Sequence, residues 1–294
     1  MTARLEVLRP GALTTVQDLG RRGWAHLGVP RSGALDQPAL VVANRLVGNP
    51  PGAAGLESTL SGCLLRARGA LTVAVTGAAG PVRVDGRPAP WGAPVRVPDG
   101  AEVEWGTARA GVRGYLAVAG GLAVAEELGS RSTDLLSGLG PEPLRAGDTL
   151  PVGTAPVGRT GSAGAADWSG GAPLPLPEGA VTLRLRLGPR HDWFTPEALR
   201  TLGSADYRVS SASNRIGLRT EGPALERCRE GELPSEGMVW GAVQVPPDGR
   251  PIVFLADHPT TGGYPVVGVV VGADLPLAAQ AAPGVTVRFA PTGS

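Results

Sequence analysis

The sequence predicts a mainly β protein with a few short helices. Short β-branched or alternating apolar runs recur along the chain, among them LTVAVTG at 71–77, GYLAVAG at 114–120 and VVGVVVG at 266–272. The turns between such runs are rich in Gly, Pro and Asp, and the chain holds 45 glycines and 29 prolines beside a hydrophobic content of 42%. This combination is typical of a folded barrel or sandwich rather than of a disordered chain.

Capping signals predict three short helices. Asp36 is expected to cap a helix over residues 35–48, which carries a proline in its first turn and ends at a glycine. Thr195 is expected to cap a second helix over residues 195–203, where the same signals recur. The stretch STDLLSGLG, which begins at Ser132, predicts a third helix.

The chain of 294 residues is long enough for two lobes, and its composition indicates where they divide. Residues 155–179 are rich in Gly and Pro and have no apolar period, which is typical of a linker or mobile loop. This stretch separates an N-terminal β lobe at 1–154 from a C-terminal β lobe at 180–294.

The charge pattern excludes several classes of function. There are 27 basic and 26 acidic residues, so no strong field attracts nucleic acid or an anionic membrane, and neither is expected as a partner. All 27 basic residues are arginine. Without lysine there is no Schiff base, no phosphate-loop lysine and no covalently attached biotin on this chain.

Cysteines and histidines give no sign of a metal site. Cys63 and Cys228 are too few and too far apart for a zinc cluster or a disulfide framework, and His26, His191 and His258 lack metal-binding spacing.

The N-terminus has no long apolar core, and no uncharged apolar span is long enough for a membrane helix. We therefore expect no metal and a cytoplasmic protein.

Five polar stretches interrupt the apolar background and are candidate sites. The first, at 14–36, has the polar side chains Gln17, Asp18, Arg21, Ser32 and Asp36 among several glycines. Glycines let backbone N–H groups approach a ligand, and an Asp/Arg pair can orient a small polar substrate. Packing is the alternative, with Asp36 as a helix cap and Asp18 and Arg21 as a local ion pair.

Two further stretches carry charged candidates in apolar surroundings. Glu57 lies in LESTLSG, and a glutamate is rarely buried unless it is paired or belongs to a site; exposure on an edge strand is the alternative. Arg215 and Arg219 lie in SSASNRIGLRTEGP and could clamp a carboxylate or phosphoryl group. Structural bridging to Glu221 or Asp206 is the alternative there.

The last two polar stretches border C-terminal strands. Residues 233–249 place Glu236 just before a strand and Gln244 inside it. Residues 257–265 read DHPTTGGYP between two apolar runs, which indicates either a tight turn or a site. Its acid and histidine could be drawn as part of a serine hydrolase triad, but the sequence has no G-x-S-x-G elbow.

Several blocks recur together along the chain: GALTTVQDLGRRGWAHLGVPRSGALDQPAL, GYLAVAGG, GSRSTDLLSGLGPEPLRAGDTLPVG, SNRIGLRTEGP, SEGMVWGAVQVPPDGRPIVFLADHPTTGGYPVVGVV and LPLAAQAAPGVTVRF. In sequence and order they resemble the 5-oxoprolinase C-subunit family, which also includes biotin-dependent carboxyltransferase-like proteins, the second subunit of allophanate hydrolase and Kip-type antagonists of a kinase inhibitor. The resemblance extends over nearly the whole chain. Where the family commonly has SDRxGYR, this chain reads SNRIGLR, so Asn214 replaces an acid and Leu218 an aromatic residue.

The resemblance implies two cyclophilin-like β-barrel lobes with a cleft between them. It also implies ATP-dependent hydrolysis of the lactam 5-oxo-L-proline to L-glutamate, in a complex with the A and B subunits of 5-oxoprolinase as partners. Because the lactam is resonance-stabilised, the implied route phosphorylates its carbonyl oxygen before water attacks. ATP would bind on this chain or on one of the partners.

The resemblance further suggests roles for the polar residues. Catalytic roles are suggested for Asp257, Glu236 and Asp18. Substrate-binding roles are suggested for Gln17, Arg21, Ser32, Asp36, Glu57, Arg215, Arg219, Gln244, Thr260, Thr261, Gly263 and Tyr264. The threonines, the glycine and the tyrosine would supply hydroxyl and backbone donors of the oxyanion-hole kind.

Two other functions remain open at this level. One is biotin-dependent carboxyl transfer to a urea-like amide, for which biotin would have to arrive on another polypeptide because this chain has no lysine. The other is regulation without catalysis, in which the chain binds the B subunit and relieves the inhibition of a kinase.

Overall fold

The computed structural model describes residues 3–154, 179–231 and 233–292, and they form two compact units. The first unit comprises Met1–Arg21, Asp36–Asp134 and Gly138–Leu176, and the second comprises Arg22–Leu35, Leu135–Ser137 and Pro177–Ser294. The second unit thus includes two segments from the N-terminal half of the chain. The predicted linker lies outside the described residues, apart from Gly179, and the predicted lobe boundaries stay a prediction.

Antiparallel strands in two sheets build the first unit. They are β1 (Arg4–Arg9), β2 (Thr14–Gln17), β3 (Gly55–Thr59), β4 (Cys63–Arg68), β5 (Leu71–Ala79), β6 (Val82–Val84), β7 (Arg87–Ala89), β8 (Pro94–Val97), β9 (Glu102–Trp105), β10 (Ala110–Val118) and β11 (Thr149–Pro151). One sheet has the order β11-β1-β4-β9-β6-β7, and the other has the order β2-β3-β10-β5-β8.

The two sheets of the first unit share one apolar core. The core draws on both of them through residues such as Leu5, Leu65, Val73 and Leu116. On the opposite face of the five-stranded sheet lies helix α1 (Gln37–Leu46), where Ala43 packs with Ala74 and Ala117. Because apolar groups cover both faces, β5 and β10 read as continuous apolar runs rather than as alternating ones.

The second unit is a closed barrel with a short β-ribbon. The strands are β12 (Val181–Leu187), β13 (Tyr207–Val209), β14 (Gly217–Glu221), β15 (Glu236–Gly237), β16 (Ala242–Gln244), β17 (Ile252–Phe254), β18 (Thr261–Gly262), β19 (Val266–Val270) and β20 (Thr286–Thr292). The barrel order is β12-β19-β16-β17-β14-β13-β20, and it closes through the parallel pair β12 and β20. The ribbon consists of β15 and β18.

The alternating pattern of β12 shows how the sequence forms the barrel. Val181, Leu183 and Leu185 point into its core, and Thr182 and Arg184 between them are exposed. Helices α2 (Pro196–Ser204) and α3 (Leu275–Gln280) add buried side chains to the same core. The mainly β class predicted from the sequence is confirmed.

Two of the three predicted helices form as expected. Asp36 caps α1 by accepting a 3.1 Å hydrogen bond from the backbone N–H of Ala39, and Thr195 caps α2 in the same way through Ala198. Each helix has a proline within its first two positions. Helix α3 was not predicted, although Pro276 gives the same signal there.

The third predicted helix, in STDLLSGLG, is wrong. Gly138, inside the stretch, has a φ of 74°, and Gly140 has a φ of 79°, which a right-handed helix does not allow. The backbone N–H groups of Thr133 and Asp134 donate to the carbonyl oxygens of Val16 and Leu139 at 2.9 Å. The stretch therefore forms a turn that is held by a strand distant in sequence.

Across the described ranges, no helix has both the length and the apolar character needed to cross a membrane.

Candidate functional site

In the first unit, the carboxylate of Asp18 is fully engaged by protein donors. It is 7% exposed. Its four donors are the N–H groups of Gly20 and Arg131 and the hydroxyls of Ser130 and Ser132, all at 2.6–2.7 Å. The contacts tie the segment around Ser130 to the end of β2. The catalytic role of Asp18 stays a prediction, and its contacts fit a positioning role.

Arg21 lies beside this network and is 2% exposed. Its Nη2 donates to the carbonyl oxygen of Ser132 at 2.5 Å, and its Nε lies 3.4 Å from the carbonyl oxygen of Glu127. Nη1 is buried and has no hydrogen-bond partner among the described residues. The expected ion pair between Asp18 and Arg21 is wrong, because Arg21 is bound by carbonyl dipoles and Asp18 by other donors.

Gln17 occupies the next position of the same network and is fully buried. Its Nε2 donates to the Thr15 hydroxyl and to the carbonyl oxygen of Thr133, each at 3.0 Å. Its Oε1 is buried, and no donor reaches it within the described part of the chain. Gln17 and Arg21 are therefore held by the carbonyls of the consecutive residues Thr133 and Ser132, and each keeps one unused polar atom.

Glu57 and Asp36 are joined by a tyrosine that sequence reasoning missed. The hydroxyl of Tyr115 donates to Oε2 of Glu57 at 2.8 Å and accepts from the backbone N–H of Asp36 at 2.8 Å. Tyr115 is directly opposite Glu57 in the pairing of β10 with β3. It lies in the motif GYLAVAGG, which is the sequence feature that could have identified it. Burial, followed by the charge of Glu57, raises the pKa of Tyr115 well above its ordinary value, so it stays a donor.

The suggestion that Glu57 is exposed on an edge strand is wrong. Glu57 is 2% exposed, because β3 lies between β2 and β10 within the sheet. A carboxylate in this position requires partners, and Tyr115 supplies one of them.

In the second unit, Arg215 and Asp257 form a buried ion pair with each other. Two hydrogen bonds of 2.9 Å join Nε to Oδ2 and Nη2 to Oδ1, and both side chains are 0% exposed. Such two-pronged geometry is the strongest form of this contact. Arg219, the other half of the expected arginine clamp, is exposed on β14, so the structure does not bring the two arginines together.

The ion pair also attaches two N-terminal segments to the barrel. Arg215 donates to the carbonyl oxygen of Gly33 at 2.7 Å, and Asp257 accepts from the N–H of Leu135 at 3.2 Å. Ser32, which is fully buried and has a φ of 55°, donates its N–H to Ala256 at 3.0 Å. These contacts explain why residues 22–35 and 135–137 belong to the second unit.

A second arginine–carboxylate pair is accessible. Glu236 accepts from Nε and Nη2 of Arg190, and both side chains are about one third exposed. The hydrogen bond from Arg190 lowers the pKa of Glu236 below its ordinary value, so the carboxylate is ionised at neutral pH and is a weak base. Arg190 was not predicted as a site residue; it lies in a 3₁₀ turn at Pro189–Trp193.

The ribbon of β15 and β18 collects most of the other predicted residues of the second unit. Glu236 pairs with Gly262, and the N–H of Met238 donates to Thr260 at 2.8 Å. Gln244 approaches the carbonyl oxygen of Tyr264 at 3.4 Å, and Gly263 accepts from Leu233 at 3.2 Å. Thr261 is exposed on β18.

His258 is a packing residue in the stretch DHPTTGGYP. Its ring stacks on Phe254 at 5.9 Å between centroids and is 6% exposed, and its Nδ1 lies 2.7 Å from the carbonyl oxygen of Pro259. The described ranges contain no group of three or more His, Cys, Asp or Glu residues that could hold a metal ion. The predicted cleft between the lobes stays a prediction.

Comparisons with known proteins agree with the motifs. The family described as "Carboxyltransferase domain, subdomain A and B" matches residues 27–291. The C subunit of 5-oxoprolinase from Escherichia coli K12 is 36% identical over 97% of this chain and 90% of its own length. The urea amidolyase of Lachancea kluyveri is 33% identical over 97% of this chain, but only 17% of that enzyme is covered.

Solved structures share the fold. A crystal structure of the protein TTHA0988 matches with a TM-score of 0.87 and 42% identity over 98% of this chain. This chain spans about half, 55%, of that protein. Urea carboxylase from Kluyveromyces lactis matches with a TM-score of 0.88 and 28% identity over 99% of this chain and 28% of its own. The chain thus belongs to the carboxyltransferase-domain family that includes the C subunit of 5-oxoprolinase.

Proposed function

We propose that the chain is the C subunit of an ATP-dependent 5-oxoprolinase, which hydrolyses 5-oxo-L-proline to L-glutamate together with its A and B subunits. The observation that carries the proposal is the correspondence with the C subunit of the Escherichia coli enzyme, which extends over 97% of this chain and 90% of that protein. The corresponding protein of Haemophilus influenzae is 33% identical over the same share of both.

The chemistry of the substrate fits the unused polar atoms of the first unit. 5-Oxoproline carries a carboxylate next to a lactam N–H, so it needs a cationic donor beside a neutral acceptor. Arg21 is a buried cation whose partners among the described residues are carbonyl oxygens, and such a cation favours an anionic ligand. In this proposal, Nη1 of Arg21 binds the carboxylate and Oε1 of Gln17 accepts the lactam N–H. Because both atoms are buried, binding requires a movement that exposes them.

The three suggested catalytic carboxylates differ in what they can do. Asp257 and Asp18 are engaged by protein donors, and we assign them to positioning. Glu236 is ionised and accessible, which suits a residue that orients a water or an amide N–H by accepting a hydrogen bond. ATP supplies the energy to open the lactam, and the proposal does not require it to bind on this lysine-free chain.

The test is reconstitution of the complex. The purified chain is mixed with its A and B subunits, and glutamate formation from 5-oxoproline is measured with and without ATP. We expect product only when all three proteins and ATP are present. Absence of product from A and B subunits that are active with another protein of the C type would refute the proposal. Binding to the B subunit without product would favour the regulatory function instead.

A second candidate function is carboxyl transfer. It is favoured by the matched family and by the urea amidolyase relatives, which are 33% and 30% identical to this chain. Carboxybiotin would have to be presented by another polypeptide, because this chain has no lysine. Transfer of a labelled carboxyl group from a carboxybiotin carrier to urea, at the same substrate concentration as in the oxoprolinase assay, separates the two functions.

A further inference from the structure

A cavity of about 690 Å³ lies in the first unit. Its walls come from the ends of β1, β6 and β9 and from the turns next to them. The lining residues with charged or hydroxyl side chains are Arg9, Ser61, Arg83, Glu104, Thr107 and Arg109. The proposed function uses none of them.

The cavity is positively charged. Glu104 pairs with Arg9 at 2.6 Å and lies 3.8 Å from Arg83, so one carboxylate serves two guanidinium groups. The guanidinium of Arg109 makes no hydrogen bond or ion pair with any described residue. Three arginines and one glutamate give the lining a net charge of +2. Arg9 and Arg83 are 60% and 44% exposed, so a ligand from solvent can reach them.

Neutral donors complete the lining. The Ser61 hydroxyl accepts from the N–H of Ala12 at 2.7 Å, which leaves its own proton free to donate. Thr107 is exposed at the rim and carries a second hydroxyl. The cavity therefore offers guanidinium and hydroxyl donors and has one carboxylate that works against an anion.

The walls are held in place by tight backbone contacts. Gly11 has a φ of 72°, and a Cβ on it would lie 2.0 Å from the carbonyl oxygen of Gly62, so these two turns fit together only without a side chain. The N–H of Gly106 donates to Pro81 at 2.8 Å. Fixed walls reduce the ordering cost of binding a ligand.

We propose that this cavity binds a phosphate dianion, either as free phosphate or as the terminal phosphate of a nucleotide. Guanidinium groups match the oxygens of phosphate in geometry, and a dianion balances the net charge of +2. A monocarboxylate would leave one positive charge without a counter-ion. The proposal does not depend on the oxoprolinase function, because it concerns binding alone.

Phosphate binding to the full chain can be measured by isothermal titration calorimetry at low ionic strength. Arg109→Gln and Arg83→Gln should each weaken the binding of inorganic phosphate about tenfold or more, since each removes a charged donor. Glu104→Gln should strengthen it, because it removes the opposing charge and releases Arg9. The matched control is Arg96→Gln, which removes an exposed arginine of the same unit from β8, outside the cavity.

Two further arms complete the test. ADP and adenosine are titrated beside phosphate: ADP binding tighter than phosphate identifies a nucleotide as the source, and equal affinity identifies free phosphate. Circular dichroism verifies that each variant is folded. The proposal is overturned if wild-type chain binds no phosphate, if Arg109→Gln binds it as tightly as wild type, or if Arg96→Gln weakens binding as much as the cavity variants.

Discussion

Among the described residues, Arg21 in the first unit and Arg215 in the second are the most deeply buried arginines, and they differ in their partners. Arg215 is bound to a carboxylate, Asp257, by two hydrogen bonds of 2.9 Å. Arg21 is bound to the carbonyl oxygens of Ser132 and Glu127, and its Nη1 has no hydrogen-bond partner in the described part of the chain. The first arrangement is electrostatically closed and suits a structural role. The second still has a cation to neutralise, which suits ligand binding.

The largest expected effect is on stability, at the buried pair of Arg215 and Asp257. Asp257→Ala removes a carboxylate that accepts two hydrogen bonds from the buried guanidinium of Arg215, and we expect it to lower the free energy of unfolding by about 3–5 kcal/mol. Urea denaturation monitored by tryptophan fluorescence measures the change. The double variant Arg215→Met with Asp257→Leu should recover much of the loss, since it removes both charges together.

Asp206→Ala is the matched control for the buried pair. It breaks the pair between Asp206 and Arg288, whose side chains are both 54% exposed, so it should have a much smaller effect. Equal losses in the free energy of unfolding for Asp257→Ala and Asp206→Ala would show that burial does not strengthen the pair. Asp257 would then again be a candidate for a catalytic role.

For Arg21, we expect an effect on activity rather than on stability. We expect Arg21→Gln to raise the KM for 5-oxoproline in the reconstituted complex by about tenfold to a hundredfold, because a charged hydrogen bond to the substrate is lost. Its free energy of unfolding should change less than that of Asp257→Ala, since no carboxylate is left unpaired. The measurements are initial rates of glutamate formation and urea denaturation.

Arg21→Lys separates the charge of Arg21 from its shape. It keeps the positive charge but loses the planar fork, so part of the substrate affinity should return. An unchanged KM in Arg21→Gln would show that the unused nitrogen does not meet substrate, and the difference between the two arginines would then be structural only.

The third prediction concerns Tyr115, which links two buried acids of the first unit. Tyr115→Phe removes the donor to Glu57 and the acceptor for the N–H of Asp36, so we expect a loss of about 1–3 kcal/mol in the free energy of unfolding. Tyr207→Phe is a control, because no hydrogen-bond partner of the Tyr207 hydroxyl lies within the described part of the chain. Equal losses in both variants would contradict a linking role for Tyr115.

Local signals in the sequence were sufficient for much of the fold. Asp36 and Thr195 cap helices because the cap, the proline and the first turn are neighbours in sequence. The stretch after Ser132 has similar local signals, but Gly138 and Gly140 have φ values of 74° and 79°, and a turn forms instead. The N–H of Thr133 donates to the carbonyl oxygen of Val16, which is distant in sequence, and no local pattern predicts that contact.

The candidate site was less predictable for the same reason. Asp257 was identified as an acid at the end of a strand, which is a local observation. Its partner Arg215 lies 42 residues away, and only the closed barrel buries both side chains. Likewise, nothing near Glu236 in sequence indicates Arg190, which reaches it from a 3₁₀ turn 46 residues earlier.

The smallest predicted effect is at the accessible pair of Arg190 and Glu236. The folded state lowers the pKa of Glu236 below its ordinary value of 4.5, so the unfolded chain binds more protons in that range. The stability that the pair contributes is therefore present above pH 4.5 and is lost as the pH falls through the lowered pKa. Arg190→Gln removes this contribution, so its difference from wild type should be small at about pH 7 and should vanish in acid.

Urea denaturation of wild type and Arg190→Gln between about pH 7 and pH 3 measures that difference. Arg186→Gln is the control: Arg186 is exposed on β12 and has no carboxylate partner among the described residues, so its effect should not depend on pH in this range. A difference for Arg190→Gln that persisted unchanged in acid would mean that Arg190 stabilises the ribbon by packing rather than by charge. In that case the ion pair with Arg190 would not be the cause of the ionised state and fixed position of Glu236. The proposal that Glu236 orients a water would then rest on its accessibility alone.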